Sequence, residues 1–100
     1  MRLTNRQKTT IQQTLKRYFG EASHILLFGS RTDDGALGGD IDLYIEPELD
    51  DPDTLVDAKL NALAELHAKL GDQKIDLVIH RTQTPELAIH RSAKASGIPL

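Results

Sequence analysis

Asp40, Asp42 and Asp76 are the residues of this sequence whose type and setting most suggest chemistry. Each falls inside a strand-like pattern, and aspartate is a poor strand former. In Asp40–Glu46, "DIDLYIE", the alternation turns Ile41, Leu43 and Ile45 one way and Asp40, Asp42, Tyr44 and Glu46 the other. In Lys74–His80, "KIDLVIH", Ile75, Leu77 and Ile79 face inward, with Asp76, Val78 and His80 opposite. If the two strands are neighbours, three carboxylates converge on one patch. Like charges at that range repel unless a cation sits among them. A set of hard oxygen donors suits Mg²⁺, which keeps part of its water shell and shares the rest with substrate phosphates.

The complement to a metal site lies just upstream. Gly29 and Ser30 follow the apolar run "HILLF". A turn leaving a buried strand points backbone N–H groups outward and makes an anion site. Gly29 lets the backbone approach a phosphate closely, Ser30 adds a hydroxyl donor, and Arg31 adds charge. A phosphate cradle beside a magnesium carboxylate site suits transfer chemistry on a nucleoside triphosphate.

These residues need elements to hold them. Thr4 to Phe19 reads as a helix, with Thr4 as N-cap, Gln7 completing a capping box, an apolar stripe of Ile11, Leu15, Tyr18 and Phe19, and Gly20 as the stop. His24–Phe28 suits a buried strand. Ser30 to Asp33 can form a helical turn, and Gly35, Gly38 and Gly39 mark a loop. After the strand Asp40–Glu46, ended by Pro47, a helix is expected from about Asp53 to Leu70, with Val56, Leu60, Leu63, Leu66 and Leu70 as its apolar face. A third strand covers Lys74–His80. Thr84-Pro85-Glu86 starts a last helix that reaches about Ser96. The order predicts a single α/β (α+β) domain over residues 1–100: a small mixed β-sheet with helices packed on one face. Strand order does not follow from the pattern.

Composition narrows the function classes. The 100 residues suit one domain, and 39% apolar with 27% charged residues is ordinary for a globular protein. Cysteine is absent, which removes disulfides and thiolate metal sites and fits the cytoplasm. The first ten residues lack an apolar h-region, and no apolar run approaches the roughly 18 residues of a membrane span. A formal charge of −3 and four aromatic residues argue against a nucleic-acid partner. Of His24, His67, His80 and His90, none pair at ligand spacing, and only His80 shares a strand face with a candidate aspartate.

Gly29-Ser30, a nine-residue spacer, Asp40-Ile41-Asp42 and then Asp76 in a later strand together resemble the minimal nucleotidyltransferases of the DNA polymerase β superfamily. "LFGSR" and "DIDL" carry the resemblance, which extends to the closing "SGIPL". It implies a nucleotidyltransferase fold, ATP and two Mg²⁺ ions. Asp40 and Asp42 would hold the metals, with Asp42 bridging both. Asp76 would ligate one ion or accept the proton of the attacking hydroxyl, and Gly29, Ser30 and Arg31 would hold the triphosphate. Two positions depart from the family pattern: Thr32-Asp33-Asp34 is acidic where a second basic residue is common, and Gly39 replaces a frequent serine.

A chain this short leaves little room for an acceptor site, so a partner is expected to supply it. Small stand-alone members resemble the antitoxin half of HEPN–nucleotidyltransferase toxin–antitoxin pairs, in which the toxin is adenylylated. The alternative is a non-catalytic antitoxin of the same fold that binds nucleotide or toxin, and the chain could also form a homo-oligomer. Arg17 and His24 share the Arg-x6-His spacing of the HEPN ribonuclease motif, but that family is all-helical and Gly20 divides this segment.

Overall fold

The computed structural model of the chain describes residues 4–28, 41–71, 74–81, 91, 95 and 97–100. Helix α1 spans Asn5–Phe19 and opens with the expected capping box. The Gln7 N–H donates to Thr4 Oγ1 at 3.1 Å, and the Thr4 N–H donates to Gln7 Oε1 at 2.8 Å, so two otherwise orphaned donors are satisfied reciprocally. Ile11, Leu15 and Phe19 are fully buried, and Tyr18 packs against them half-exposed. Gly20 ends the helix at a φ of 111°. A Cβ there would come within 2.6 Å of the Glu48 side chain, so both backbone and space demand glycine. Glu48 is held close because its Oε1 accepts from the Ala22 N–H and its own N–H donates to Ser23 Oγ, both at 3.0 Å.

Strands β1 (His24–Phe28), β2 (Ile41–Glu46), β3 (Ile75–Ile79) and β4 (Ile98–Pro99) form one sheet in the order β3-β2-β1-β4. β2 runs antiparallel to β1 and parallel to β3, while β4 runs antiparallel to β1. A parallel pair needs a crossover connection, and helix α2 (Pro52–Leu70) provides it. The sheet rows follow from the register. Leu27, Leu43 and Leu77 lie side by side, as do Ile25, Ile45 and Ile79. These rows face α1 and α2 and form the core with Ile41 and Ile75. The described residues thus make a small mixed α+β domain, with a four-stranded mixed sheet and two helices on one of its faces.

Three details differ from the sequence reading. First, β1 is buried on one face only: Ile25 and Leu27 are buried, Leu26 and Phe28 half-buried, and His24 exposed. Second, the buried face of α2 is Leu55, Ala58, Ala62 and Leu66, whereas Val56 and Leu60 are 59% and 64% exposed. Leucines, valine and alanines occur on nearly every side of this helix, so spacing alone fits more than one face. Ala58 and Ala62 lie on the core side, where their small size permits close approach to neighbouring elements. Third, the closing residues form the short strand β4, tied further by the Leu100 N–H donating to the Ile25 carbonyl at 3.0 Å. The helical turn expected over residues 30–33 lies outside the described residues, as does the last helix apart from Arg91 and Ala95, which are helical.

One acid links the two helices. Glu65 on α2 accepts hydrogen bonds from Thr14 Oγ1 at 3.0 Å, Arg17 Nη1 at 2.8 Å, Tyr18 Oη at 3.0 Å and Lys69 Nζ at 3.1 Å. Three of these donors sit on α1, and Thr14 is fully buried. Burial raises the Glu65 carboxyl pKa, but the bonds from Lys69, Tyr18, Thr14 and Arg17 together outweigh it and lower the pKa from 4.5 to about 2. Because the folded pKa lies below the unfolded one, this contribution to stability is present above pH 4.5 and lost as the pH falls toward about 2. Glu65→Gln keeps the shape but not the charge. We expect it to lower the melting temperature at pH 7, with the gap from wild type closing between pH 4.5 and about 2. A gap independent of pH, measured by thermal unfolding in a pH series, would contradict this.

Candidate metal and nucleotide site

On the sheet face away from the helices, the same registers create a second set of rows. Phe28 pairs with Asp42, and Asp42 pairs with Asp76. The end of β1 and the starts of β2 and β3 therefore bring Phe28, Asp42 and Asp76 into one line across three strands. Adjacent strands lie about 4.8 Å apart, so the two aspartates are immediate neighbours. Asp42 is half-buried and Asp76 exposed. Lys74 Nζ approaches Asp76 Oδ2 at 4.0 Å, but the two side chains are 68% and 50% exposed, so water weakens that pair.

Like charges directly opposite each other on neighbouring strands are destabilising. A divalent cation between the carboxylates would reverse that repulsion, and two hard oxygen donors side by side are the chemistry that Mg²⁺ favours. Among the described residues no group of three or more His, Asp or Glu side chains converges on a single metal position. Of the three expected ligands, Asp42 and Asp76 are brought together. Asp40, which directly precedes β2, lies outside the described residues, as do Gly29, Ser30 and Arg31.

A cleft of about 540 Å³ opens beside the pair, lined by Phe28, Asp42, Asp76 and Val78 together with Lys59 and Leu63 from α2. Lys59 is a lining cation that the sequence reading did not single out. Its position mid-helix in "DAKLNA" looks like an ordinary solvated face, and only the packing of α2 beside β3 shows otherwise. A second cleft of similar volume lies at the other end of β1, lined by Lys16, Glu21, Ser23, His24, Glu46 and Leu100. It lacks the paired aspartates, so the cleft at the Asp42–Asp76 end is the better candidate.

The next row along the strands is buried at its centre. Tyr44, expected on the polar face of β2, is fully buried. Its hydroxyl lies 2.9 Å from Nδ1 of His80, which is itself only 6% exposed. The His80 N–H donates to the Ile45 carbonyl at 3.0 Å, extending the β2–β3 ladder past β3. Arg81, next in sequence, reaches Asp50 Oδ1 at 3.0 Å. The one histidine singled out for sharing a face with Asp76 therefore serves as a buried partner of Tyr44.

No family model matches the chain, and a search of the curated proteins finds no match either.

Tyr44→Phe removes the hydroxyl while keeping the ring. We expect it to cost about 1 kcal/mol or more of folding free energy, the range for losing a buried hydrogen bond, read by urea denaturation with an unchanged m-value. An unaltered midpoint would show that the pair contributes nothing to holding β2 against β3.

Proposed function

We propose that the chain is a Mg²⁺-dependent nucleotidyltransferase that transfers AMP from ATP to a hydroxyl, with the acceptor carried by a partner protein. The observation that carries this reading is the register of β2 and β3, which sets Asp42 directly beside Asp76. That juxtaposition is what the spacing of Gly29-Ser30, Asp40-x-Asp42 and Asp76 requires if the three aspartates belong to one site. The family resemblance adds the identity of the nucleotide and, through the HEPN toxin–antitoxin pairs, a toxin as acceptor and an antitoxin role in the cytoplasm.

In this reading Asp42 and Asp76, with Asp40, hold the metal. Bound there, Mg²⁺ supplies positive charge for the phosphates and makes the acceptor hydroxyl more acidic. Gly29 and Ser30 donate backbone and hydroxyl hydrogen bonds to the triphosphate, and Arg31 adds positive charge. The acceptor oxygen attacks the α-phosphorus, the bond to the β-phosphate bridging oxygen breaks, and pyrophosphate leaves. In this reading Asp76, the exposed member of the pair, takes the hydroxyl proton. The rate gain comes from positioning and from preorganised charge.

Two measurements test this. Mg²⁺-ATP should raise the melting temperature of the wild type but not of Asp42→Asn, because only a ligand that binds the folded state stabilises it. With α-labelled ATP and a candidate acceptor protein, label should move to the acceptor, and Asp76→Asn should reduce the transfer at least about 100-fold, the lower range for loss of a general base. Stabilisation by Mg²⁺-ATP without transfer to any acceptor would leave a nucleotide-binding, non-catalytic protein. Neither stabilisation nor transfer would end the reading.

A further inference from the structure

The exposed side of α2 carries an apolar ridge. Val56, Leu60, Ala64 and Ala68 recur every four residues, and all four are exposed. Rows at this spacing are the ridges by which helices pack on one another. The ridge is graded, with its two large members in the N-terminal half and its two small members in the C-terminal half. Charge on the helix is graded as well. On the ridge side Asp53 and Asp57 lie toward the start and His67 toward the end, while Glu65 and Lys69 pair with each other beside α1 and Lys59 lines the Asp42–Asp76 cleft.

We propose that this ridge is the contact face of a homodimer, in which α2 of one copy packs antiparallel against α2 of the second about a two-fold axis near the level of Ala62. The two gradients select this occupant. A two-fold at that level sets Leu60 level with Ala64 of the second copy and Val56 level with its Ala68, so large residues meet small ones at both ends. It also sets Asp57 level with His67 of the second copy and keeps the acidic ends of the two helices apart. Parallel pairing would stack large on large and acid on acid. A two-fold contact must be complementary to itself, and this ridge is complementary to itself in one orientation only. Val56, Leu60, Ala64 and Ala68 do not line the Asp42–Asp76 cleft, so the proposal stands independently of the function proposed above.

One helix pair makes a small interface, so the complex should be weak. Sedimentation from about 1 μM to about 1 mM, the range of ordinary to very weak dissociation constants, is expected to show a shift from the chain mass of 11.1 kDa toward twice that value. Leu60→Glu should weaken association at least tenfold. It should leave the unfolding transition in place, because Leu60 is 64% exposed in the single chain.

The absence of cysteine permits a test of orientation. In the antiparallel dimer the two copies of residue 64 are offset by about 6 Å along the helix axis, and those of residue 53 by about 27 Å. A short bis-maleimide should therefore join Ala64→Cys chains into dimers and leave Asp53→Cys chains single. A monomer throughout the concentration range, a dimer unaffected by Leu60→Glu, or equal cross-linking at both positions would each overturn the proposal.

Discussion

The register of β2 is the constraint on which most of this structure depends. β2 is paired along both edges, antiparallel to β1 and parallel to β3, so neither face can shift without the other. One face sends Ile41, Leu43 and Ile45 under the helices, each fully buried. The other carries Asp42 and Tyr44. Side chains alternate with a period of two, so a slip by a single residue would drive Asp42 into the core and three apolar side chains out of it. The burial that fixes the register also aligns Asp42 with Asp76. The alignment of Asp42 with Asp76 is thus a by-product of core packing.

The other side of the core is held by a different kind of interaction. α1 and α2 share the apolar cluster, but Glu65 adds direction to it. Its carboxylate gathers Thr14, Arg17 and Tyr18 from α1, and Lys69 from its own helix. Hydrophobic contact alone tolerates sliding between helices. A carboxylate bound by several donors does not, because a shift would leave partly buried polar groups without partners. In a small domain without disulfides, such an acid fixes the relative rotation of the two helices. Glu48 does comparable work at the far end of α1, binding the Gly20–Ser23 turn to the segment that follows β2.

How far the sequence could be read depended on how sharply each segment distinguished its faces. α1 was legible because its apolar residues form one stripe between a capping box and a glycine. β2 and β3 were legible for their inward residues because isoleucine and leucine alternate with polar neighbours. α2 was legible as a helix but not in rotation, since apolar residues surround it and Leu55 and Val56 compete for the same role. Periodicity puts Tyr44 on the polar face, and that face is buried at the position where its hydroxyl meets His80. No local pattern announces a partner 36 residues away. For the site, the pairing of Asp42 with Asp76 was readable only as a conditional, because alternation fixes faces but not which strands are neighbours.

Asp76 has a second structural explanation, and the placement of its partner bears on it. Among the described residues β3 forms one edge of the sheet. Edge strands commonly carry charged side chains that discourage pairing with another chain, and Lys74 and Asp76 both fit that role. Edge protection accounts for Asp76 alone. Asp42 sits on a strand paired along both sides, between Phe28 and Asp76, where no free edge needs guarding and where aspartate is a poor strand residue. Two carboxylates directly opposite each other are an unfavourable cross-strand pair. Such a conflict between local preference and position is characteristic of functional sites. It is Asp42, more than the exposed Asp76, that the proposed binding site would explain.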